Sequence, residues 1–312
     1  MRVLITGVRG QDGSILAEIH SQKGDQVWGT VSSANPSPIL NDIEIVTEGL
    51  EKPRTAHRVL NQIRPDRIYH LATKHRSSII STPLTFDARN EIYDCHVSVT
   101  RNILDWQVVN QTSRSLFALS SQMYTPTRRE TLVSEDSPCC PQNYYAETKL
   151  EMFKLLRRYR ENFKVKTFGA ILFNHTSIKS KSDFIFPHLA KEIAKVIRGE
   201  SIQICVKDSK ALIDICHAEE ICQGLSQIIE IDNSCDIIFS SGRLISISEI
   251  VANTLHLLEF KQDYELKSEV KSNMRGKFLF GDTSRVVEFI NWQALLPPED
   301  ILLQLVCKEL NL

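Results

Sequence analysis

Three side chains in this 312-residue chain have the types and order that move an alcohol proton. Ser120 closes the apolar run 116–120, and Tyr145 and Lys149 stand four apart in Tyr145-Ala146-Glu147-Thr148-Lys149. That spacing puts phenol and ammonium on one helix face. A neighbouring ammonium favours phenolate and lowers the tyrosine pKa, and a serine hydroxyl can hydrogen-bond the same substrate oxygen. Together they make a general acid/base that moves an alcohol proton while hydride passes to a nicotinamide. A Tyr-x-x-x-Lys alone is usually just part of an amphipathic helix. Its weight here comes from what precedes it.

The apolar run Val3-Leu4-Ile5 reads as a buried strand and leads into Gly7, Gly10 and Gly13, three apart, before a helix beginning near Ser14. In such a loop one glycine turns the chain and one lets backbone approach a pyrophosphate. The third allows close packing of helix on strand, and the helix N-terminus faces the phosphate charge. A dinucleotide site is therefore expected at the start of the chain, with Gly7, Arg9, Gly10, Gln11, Asp12 and Gly13 around it.

Strand and helix patterns alternate behind this loop. A helix to Gln22 stops at Lys23-Gly24, and a strand covers Gln26 to Val31. The polar stretch Ser32-Ser33-Ala34-Asn35-Pro36-Ser37-Pro38 reads as loop. A helix from about Thr55 ends at Arg64-Pro65, followed by a strand over Arg67 to Ala72. A long helix is expected over Asn90 to Asn110, a strand at Leu116 to Ser120, a helix at Tyr145 to Asn162 and a strand at Lys166 to Phe173. This alternation predicts an α/β, Rossmann-type doubly wound parallel sheet over residues 1–172. Residues 173–312 are expected to form a smaller C-terminal substrate-binding lobe, partly interleaved with the first, with helices near 187–198, 217–229 and 246–258. Ser246 and Glu249 have capping-box spacing. Ligands of such sheets bind at the carboxyl ends of the strands. Gly7, Leu71, Ala72 to Lys74, Ser120-Ser121 and Phe173-Asn174 should therefore surround one crevice, with Leu71, Ala72, Phe173, Tyr145 and Lys149 on the cofactor.

The remaining composition excludes more than it assigns. Thirty-seven basic against 38 acidic residues leave a net charge of −1, no footprint for nucleic acid or an anionic membrane. The densest basic cluster, Arg157-Arg158-Tyr159-Arg160, lies in a helical stretch and reads as a solvated face. No apolar run reaches membrane-spanning length, and the N-terminal one is too short for a signal peptide. Eight cysteines show no CxxC pair and no zinc spacing, so no metal and a reduced, cytoplasmic setting are expected.

The order Gly-x-x-Gly-x-x-Gly, strand-end Ser, Tyr-x-x-x-Lys resembles the extended short-chain dehydrogenases that act on nucleotide sugars, in particular their GDP-mannose 4,6-dehydratase branch. That branch is matched by Gly10-Gln11-Asp12-Gly13-Ser14, by Ile171-Leu172-Phe173-Asn174-His175-Thr176-Ser177, and by Asp214 with His217-Ala218. The segment Glu135 to Leu150, Gly281-Asp282-Thr283-Ser284 and Asn291-Trp292 also match, so the likeness spans nearly the whole chain. It implies an enzyme with a nucleotide-sugar substrate, GDP-linked by analogy, and a homodimer or tetramer. Asn174 would steady the sugar or first phosphate, and His175, Lys179, Lys181 and Arg275 are candidates for the substrate side.

The departures bear on the reaction. The branch carries an acid, the base for carbon 5, where Ser120-Ser121-Gln122-Met123-Tyr124 has Gln122. A neutral amide has no useful basicity near pH 7. Ser32 and Ser33 replace paired arginines, Gly49 an aspartate near the adenine, and Ile213 and Pro187 arginines on the substrate side. With no carboxylate at Val31-Ser32 to hold a ribose diol, and Arg9 able to pair with a 2′-phosphate, NADP is favoured over NAD. Hydride transfer at sugar carbon 4 by keto-reduction or epimerisation is therefore expected ahead of full dehydration. A dehydratase using another base and a non-catalytic dinucleotide-binding regulator are the alternatives.

Overall fold

The computed structural model describes residues 1–31, 43–74, 84–182, 184–269 and 276–312. β1 (Arg2–Thr6) leads into α1 (Gln11–Gln22), β2 (Gln26–Thr30), β3 (Ile43–Val46), α2 (Pro53–Ile63) and β4 (Arg67–His70). Next come α3 (Phe86–Tyr93), α4 (Val99–Val109), β5 (Arg114–Ser120), β6 (Glu130–Val133), α5 (Tyr144–Phe163) and β7 (Lys166–Leu172). The second half contains β8 (Asn174–Thr176), α6 (Ile185–Ile197), β9 (Gln203–Val206), β10 (Leu212–Ile213), β11 (Ile215–His217), α7 (Ala218–Ile228), β12 (Asp236–Phe239) and β13 (Ile245–Ser246). It ends with α8 (Ile247–Leu257), β14 (Glu265–Ser268), β15 (Phe278–Gly281), α9 (Ser284–Ile290) and α10 (Pro298–Leu310).

One seven-stranded sheet, ordered β12-β7-β5-β4-β1-β2-β3, organises the chain, and every neighbouring pair in it is parallel. Its strands are apolar on both faces because helices cover both, as a parallel sheet requires. On one face Val3, Ile5 and Tyr69 pack with Leu16, Ala17, Ile221 and Leu225 of α1 and α7. On the other, Leu4, Ile68 and Phe117 pack with Leu60, Ile103, Met152 and Leu156 of α2, α4 and α5. A third core joins α6, α8 and α10 through Leu189, Ile193, Ile250, Leu302 and Leu305. No helix among the described residues is long and apolar enough to cross a membrane.

Several boundaries depart from the sequence expectation for local reasons. The helix expected from Asn90 starts at Phe86, where the Thr85 hydroxyl accepts the Ala88 N–H. A π-helical turn, Asp94–Ser98, interrupts it before α4. β4 stops at His70 instead of Ala72, because the Leu71 and Ala72 N–H groups turn to donate to Thr6 Oγ1 at 3.2 and 3.1 Å. The capping box at Ser246 and Glu249 is present. β12, far along the chain, supplies the outer strand beside β7.

The basic cluster on α5 is only in part the expected solvated face: Arg158 is exposed, whereas Arg157 and Arg160 have a buried partner. Arg157 Nε and Arg160 donate to Asp236 Oδ2 at 2.9 and 2.6 Å, and Arg157 also reaches the Glu135 carbonyl. Asp236 is 4% exposed at the head of β12, so two guanidiniums compensate one buried carboxylate. The expectation missed this pairing because helical periodicity says nothing about a partner from a distant strand.

Candidate active site

The glycine loop is held by contacts that a side chain would break. Gly7 has φ of +73°, and a Cβ there would lie 2.9 Å from Ala72 Cα. A Cβ on Gly13 would lie 2.4 Å from the Gly7 carbonyl oxygen, so α1 packs directly on the turn. Gly10 is the N-cap of α1, and no side chain caps that helix end. The partial positive charge of the helix therefore faces the carboxyl ends of β1 and β4.

Thr6 joins those two strand ends. Its oxygen accepts from Leu71 and Ala72, so its own proton goes to His70 Nδ1 at 2.8 Å. Phe173 is buried, and Asn174 donates through Nδ2 to the Asp214 carbonyl at 3.0 Å. Gln11 bridges onward. Its Nε2 donates to Asp12 Oδ1, and its Oε1 accepts from Ser177 and Ser180 in the loop after β8. Arg9 is partly buried within the same turn.

Two residues expected on the substrate side are placed elsewhere. His175 turns to the glycine loop, its Nε2 3.0 Å from Asp12 Oδ2 and its Nδ1 donating to the Phe173 carbonyl at 2.8 Å. Burial opposes its charge, but the Asp12 carboxylate and the two hydrogen bonds outweigh this and raise its pKa to about 9. Asp12 is correspondingly held below the usual carboxylate range, although burial pushes the other way. Lys179 pairs with Glu18 of α1 and so spends its charge within the protein. His175 lies in β8 and Lys179 follows it, and the carboxylates of Asp12 and Glu18 on α1 capture them. Lys181 is exposed. Ser32, Ser33 and Arg275 lie outside the described residues.

The candidate acid/base residues do converge. Asn143 is the N-cap of α5, its side chain accepting the Ala146 N–H at 2.9 Å, and this sets the first turn on which Tyr145 sits. The phenol is hydrogen-bonded by the side chains of Ser120 and Thr73. One turn on, Lys149 is 2% exposed, donates from Nζ to the Ala118 carbonyl at 2.7 Å, and lies 5.7 Å from the Tyr145 ring centre. Burial lowers the ammonium pKa to about 8. Burial also raises the Tyr145 phenol above its ordinary value, against the lowering expected from an adjacent lysine, and the hydrogen bonds from Thr73 and Ser120 only partly offset it. Burial of the phenol itself is the largest cause, and the charges of Asp12 and Cys95 push the same way. Gln122 is exposed, with its Oε1 accepting from Asn143 Nδ2 at 3.2 Å. With its oxygen engaged, the amide offers its nitrogen as a donor.

Sequence reasoning missed a second layer behind the phenol. Thr73 Oγ1 is 2.9 Å from His96 Nε2, and His96 Nδ1 is 2.8 Å from Thr148 Oγ1. The imidazole is fully buried and stands edge-on to the Tyr145 ring, 5.4 Å between centres. Its one advance signal is a histidine inside an otherwise apolar helix face.

A parallel sheet, a glycine turn capping α1 and a Ser/Tyr/Lys set at the strand ends define an extended short-chain dehydrogenase/reductase. The GDP-mannose 4,6 dehydratase family model matches residues 4–301, and the chain belongs to that family of enzymes. A GDP-mannose 4,6 dehydratase of Cricetulus griseus is 24% identical, with 99% of this chain and 91% of the relative covered. One from Caenorhabditis elegans is 28% identical over 79% of this chain and 68% of its own length. The chain spans about half (49%) of a Sordaria araneosa GDP-mannose 4,6-dehydratase, at 24% identity. Among solved structures, UDP-glucose 4-epimerase of Thermotoga maritima superposes with a TM-score of 0.82 at 16% identity, covering 100% of this chain and 99% of that one. dTDP-glucose 4,6-dehydratase of Bacillus anthracis, in complex with NAD, gives 0.81 at 13% identity, covering 100% and 97%. At those identities the likeness is one of fold.

Proposed function

We propose that this chain is a nicotinamide-dinucleotide-dependent enzyme acting at carbon 4 of a nucleotide sugar, GDP-linked by its family, by keto-reduction or 4-epimerisation. The observation that carries this reading is the Tyr145 phenol, bonded by Ser120 and seated beside buried Lys149, at the mouth of the same strand ends that bear the glycine turn.

The residues present fit a dinucleotide. Gly7, Gly10 and Gly13 leave the backbone bare where a Cβ would intrude, and the uncapped start of α1 presents N–H groups and helix dipole to a diphosphate. The imidazolium of His175 neutralises Asp12, which would otherwise repel that diphosphate. Arg9 favours a 2′-phosphate and hence NADP, whereas NAD is the cofactor in the Bacillus anthracis structure. A nicotinamide bound here supplies the acceptor and donor of hydride.

The chain's own residues handle the proton. Ser120 holds the reacting oxygen, Tyr145 takes or returns its proton, and Lys149 stabilises the phenolate once ligands close the crevice. Gln122 offers an amide donor, not a base, where the family carries an acid. Dehydration is the second reading, favoured by the family match itself. Homodimer or tetramer assembly is proposed from the family likeness.

Incubation of the protein with GDP-mannose and NADP, followed by mass analysis of the nucleotide sugar, separates the readings. Loss of one water establishes dehydration; an unchanged mass together with NADPH consumption on a 4-keto-6-deoxy nucleotide sugar establishes reduction. Tyr145→Phe should lower turnover by about 10²–10⁴-fold and leave cofactor affinity in place. Undiminished turnover would exclude Tyr145 as the acid/base.

A further inference from the structure

The loop after β8 is tied to the first turn of α1 by hydrogen bonds whose directions are all fixed. Asp12 is held as a carboxylate and can only accept, so the Gln11 amide faces it with Nε2 at 3.0 Å and turns Oε1 the other way. Ser177 donates to that oxygen at 3.2 Å, and Ser180 donates to it as well. With its proton spent on Gln11, Ser180 accepts from Thr176 at 2.7 Å and from the Ser177 N–H at 3.3 Å. Ser177 Oγ likewise accepts the Lys179 N–H at 3.2 Å. His175 on Asp12 and Lys179 on Glu18 add charge to the same seam.

This loop has little apolar side chain to bury. Over 177–182 only Ile178 is apolar, and it is 42% exposed, so polar contacts take the place of a core. On its other side the Ile178 carbonyl accepts from Lys308 of α10, the helix that packs with α6 and α8 in the third core. The segment therefore bridges the helix that fits a diphosphate and the lobe beyond β8. α1 starts without a side-chain cap, so the N–H groups of the turn bearing Gln11 and Asp12 await an acceptor from outside the helix.

Resting on the reading of the crevice as a nucleotide-sugar site, we propose that this seam, with Gln11 at its centre, couples the two ligands. A dinucleotide on α1 orders residues 177–180 and thereby tightens binding of the nucleotide sugar. A diphosphate that satisfies the α1 N–H groups fixes the turn on which Gln11 and Asp12 stand. The loop anchored there then has less freedom left to lose when the second ligand binds, a form of coupling that needs no change of shape. Linkage makes it reciprocal, so the nucleotide sugar tightens the dinucleotide by the same factor.

The test is hydrogen exchange of the backbone amides over 176–181, with and without saturating NADP or NAD, whichever binds the tighter. In the wild type the dinucleotide should slow exchange there about tenfold. GDP, as the probe of the nucleotide-sugar site, should bind about tenfold more tightly in its presence, read by calorimetry. In the double variant Ser177→Ala, Ser180→Ala both effects should vanish while the dinucleotide alone still binds. Protection that survives these substitutions in full would overturn the proposal. So would a wild-type loop whose exchange ignores the dinucleotide, a comparison that needs no variant to fold. Protection by the dinucleotide in a protein that neither binds GDP nor converts a nucleotide sugar would refute the functional reading and leave the seam's response to the cofactor standing. Turnover of a nucleotide sugar with an unprotected loop would do the reverse.

Discussion

The His175–Asp12 pair makes both stability and cofactor binding depend on pH in a direction set by the structure. The imidazole has an ordinary pKa near 6.5 when unfolded and about 9 when folded. A raised histidine pKa stabilises the fold fully below the unfolded value and loses that contribution as pH rises through the folded one. The gap of roughly 2.5 units corresponds to roughly 3 kcal/mol, and the pair is mostly shielded, with side chains 15% and 20% exposed. Asp12, whose pKa is lowered, adds stability above its unfolded value that is lost as pH falls through its folded one. The contribution is therefore largest between about pH 4 and 6.5 and fades toward pH 9. Asp12→Asn keeps the shape but removes the charge. Urea unfolding of both proteins from pH 6 to pH 9.5 should give a stability gap of about 3 kcal/mol at the acid end that closes with rising pH. Because deprotonated His175 leaves Asp12 uncompensated beside the diphosphate cradle, wild-type cofactor affinity should weaken over the same window. Parallel stability curves, or a gap that widens toward pH 9, would refute the assignment of charge to His175.

Other substitutions test the cradle, the frame and the reaction. Gly13→Ala places a Cβ 2.4 Å from the Gly7 carbonyl oxygen and 2.8 Å from Val8 Cα, backbone atoms that cannot step aside. It should cost about 1–3 kcal/mol in urea unfolding and abolish dinucleotide binding measured by calorimetry. Asp236→Ala strands Arg157 and Arg160 on α5. With Arg157 40% exposed, the loss should fall at the low end, about 3 kcal/mol, again read by urea unfolding. Gln122→Glu restores an acid at the crevice, where Asn143 can still donate to it. If the amide alone blocks dehydration, this variant should convert GDP-mannose to a product lighter by one water; no such product would place the block elsewhere.

What could be read in the sequence was whatever is local along the chain. Gly7, Gly10 and Gly13 act within one strand-to-helix turn, and Tyr145 and Lys149 within one helical turn, so spacing alone carries their geometry. His175 and Asp12 are 163 positions apart and Arg160 and Asp236 are 76 apart, and each pair meets only because the sheet brings their elements together. Periodicity gives a charged residue a face but not a partner. Lys179, Arg157 and Arg160 therefore show no partner in the sequence, and the fold pairs them with Glu18 and Asp236. Thr73 and His96 are only 23 positions apart, yet the π-helical turn that rotates the imidazole toward Thr73 has no signature in residue spacing.

The departures from the family and the retained residues differ in the chemistry they would serve. By the likeness drawn from the sequence, Gln122, Ile213 and Pro187 replace charges expected to meet the sugar or its phosphates, whereas Ser120, Tyr145 and Lys149, proposed to handle the proton, are intact. Burying Lys149 to 2% exposure costs folding free energy that a chain needing only a dinucleotide would recover by placing an apolar residue there. The Ala118 carbonyl satisfies one of its three donors, and the position keeps the ammonium against the Tyr145 ring. A lysine held at that expense argues that proton transfer at Tyr145 is still in use. The changes around it then bear on which sugar is bound and whether carbon 5 is touched.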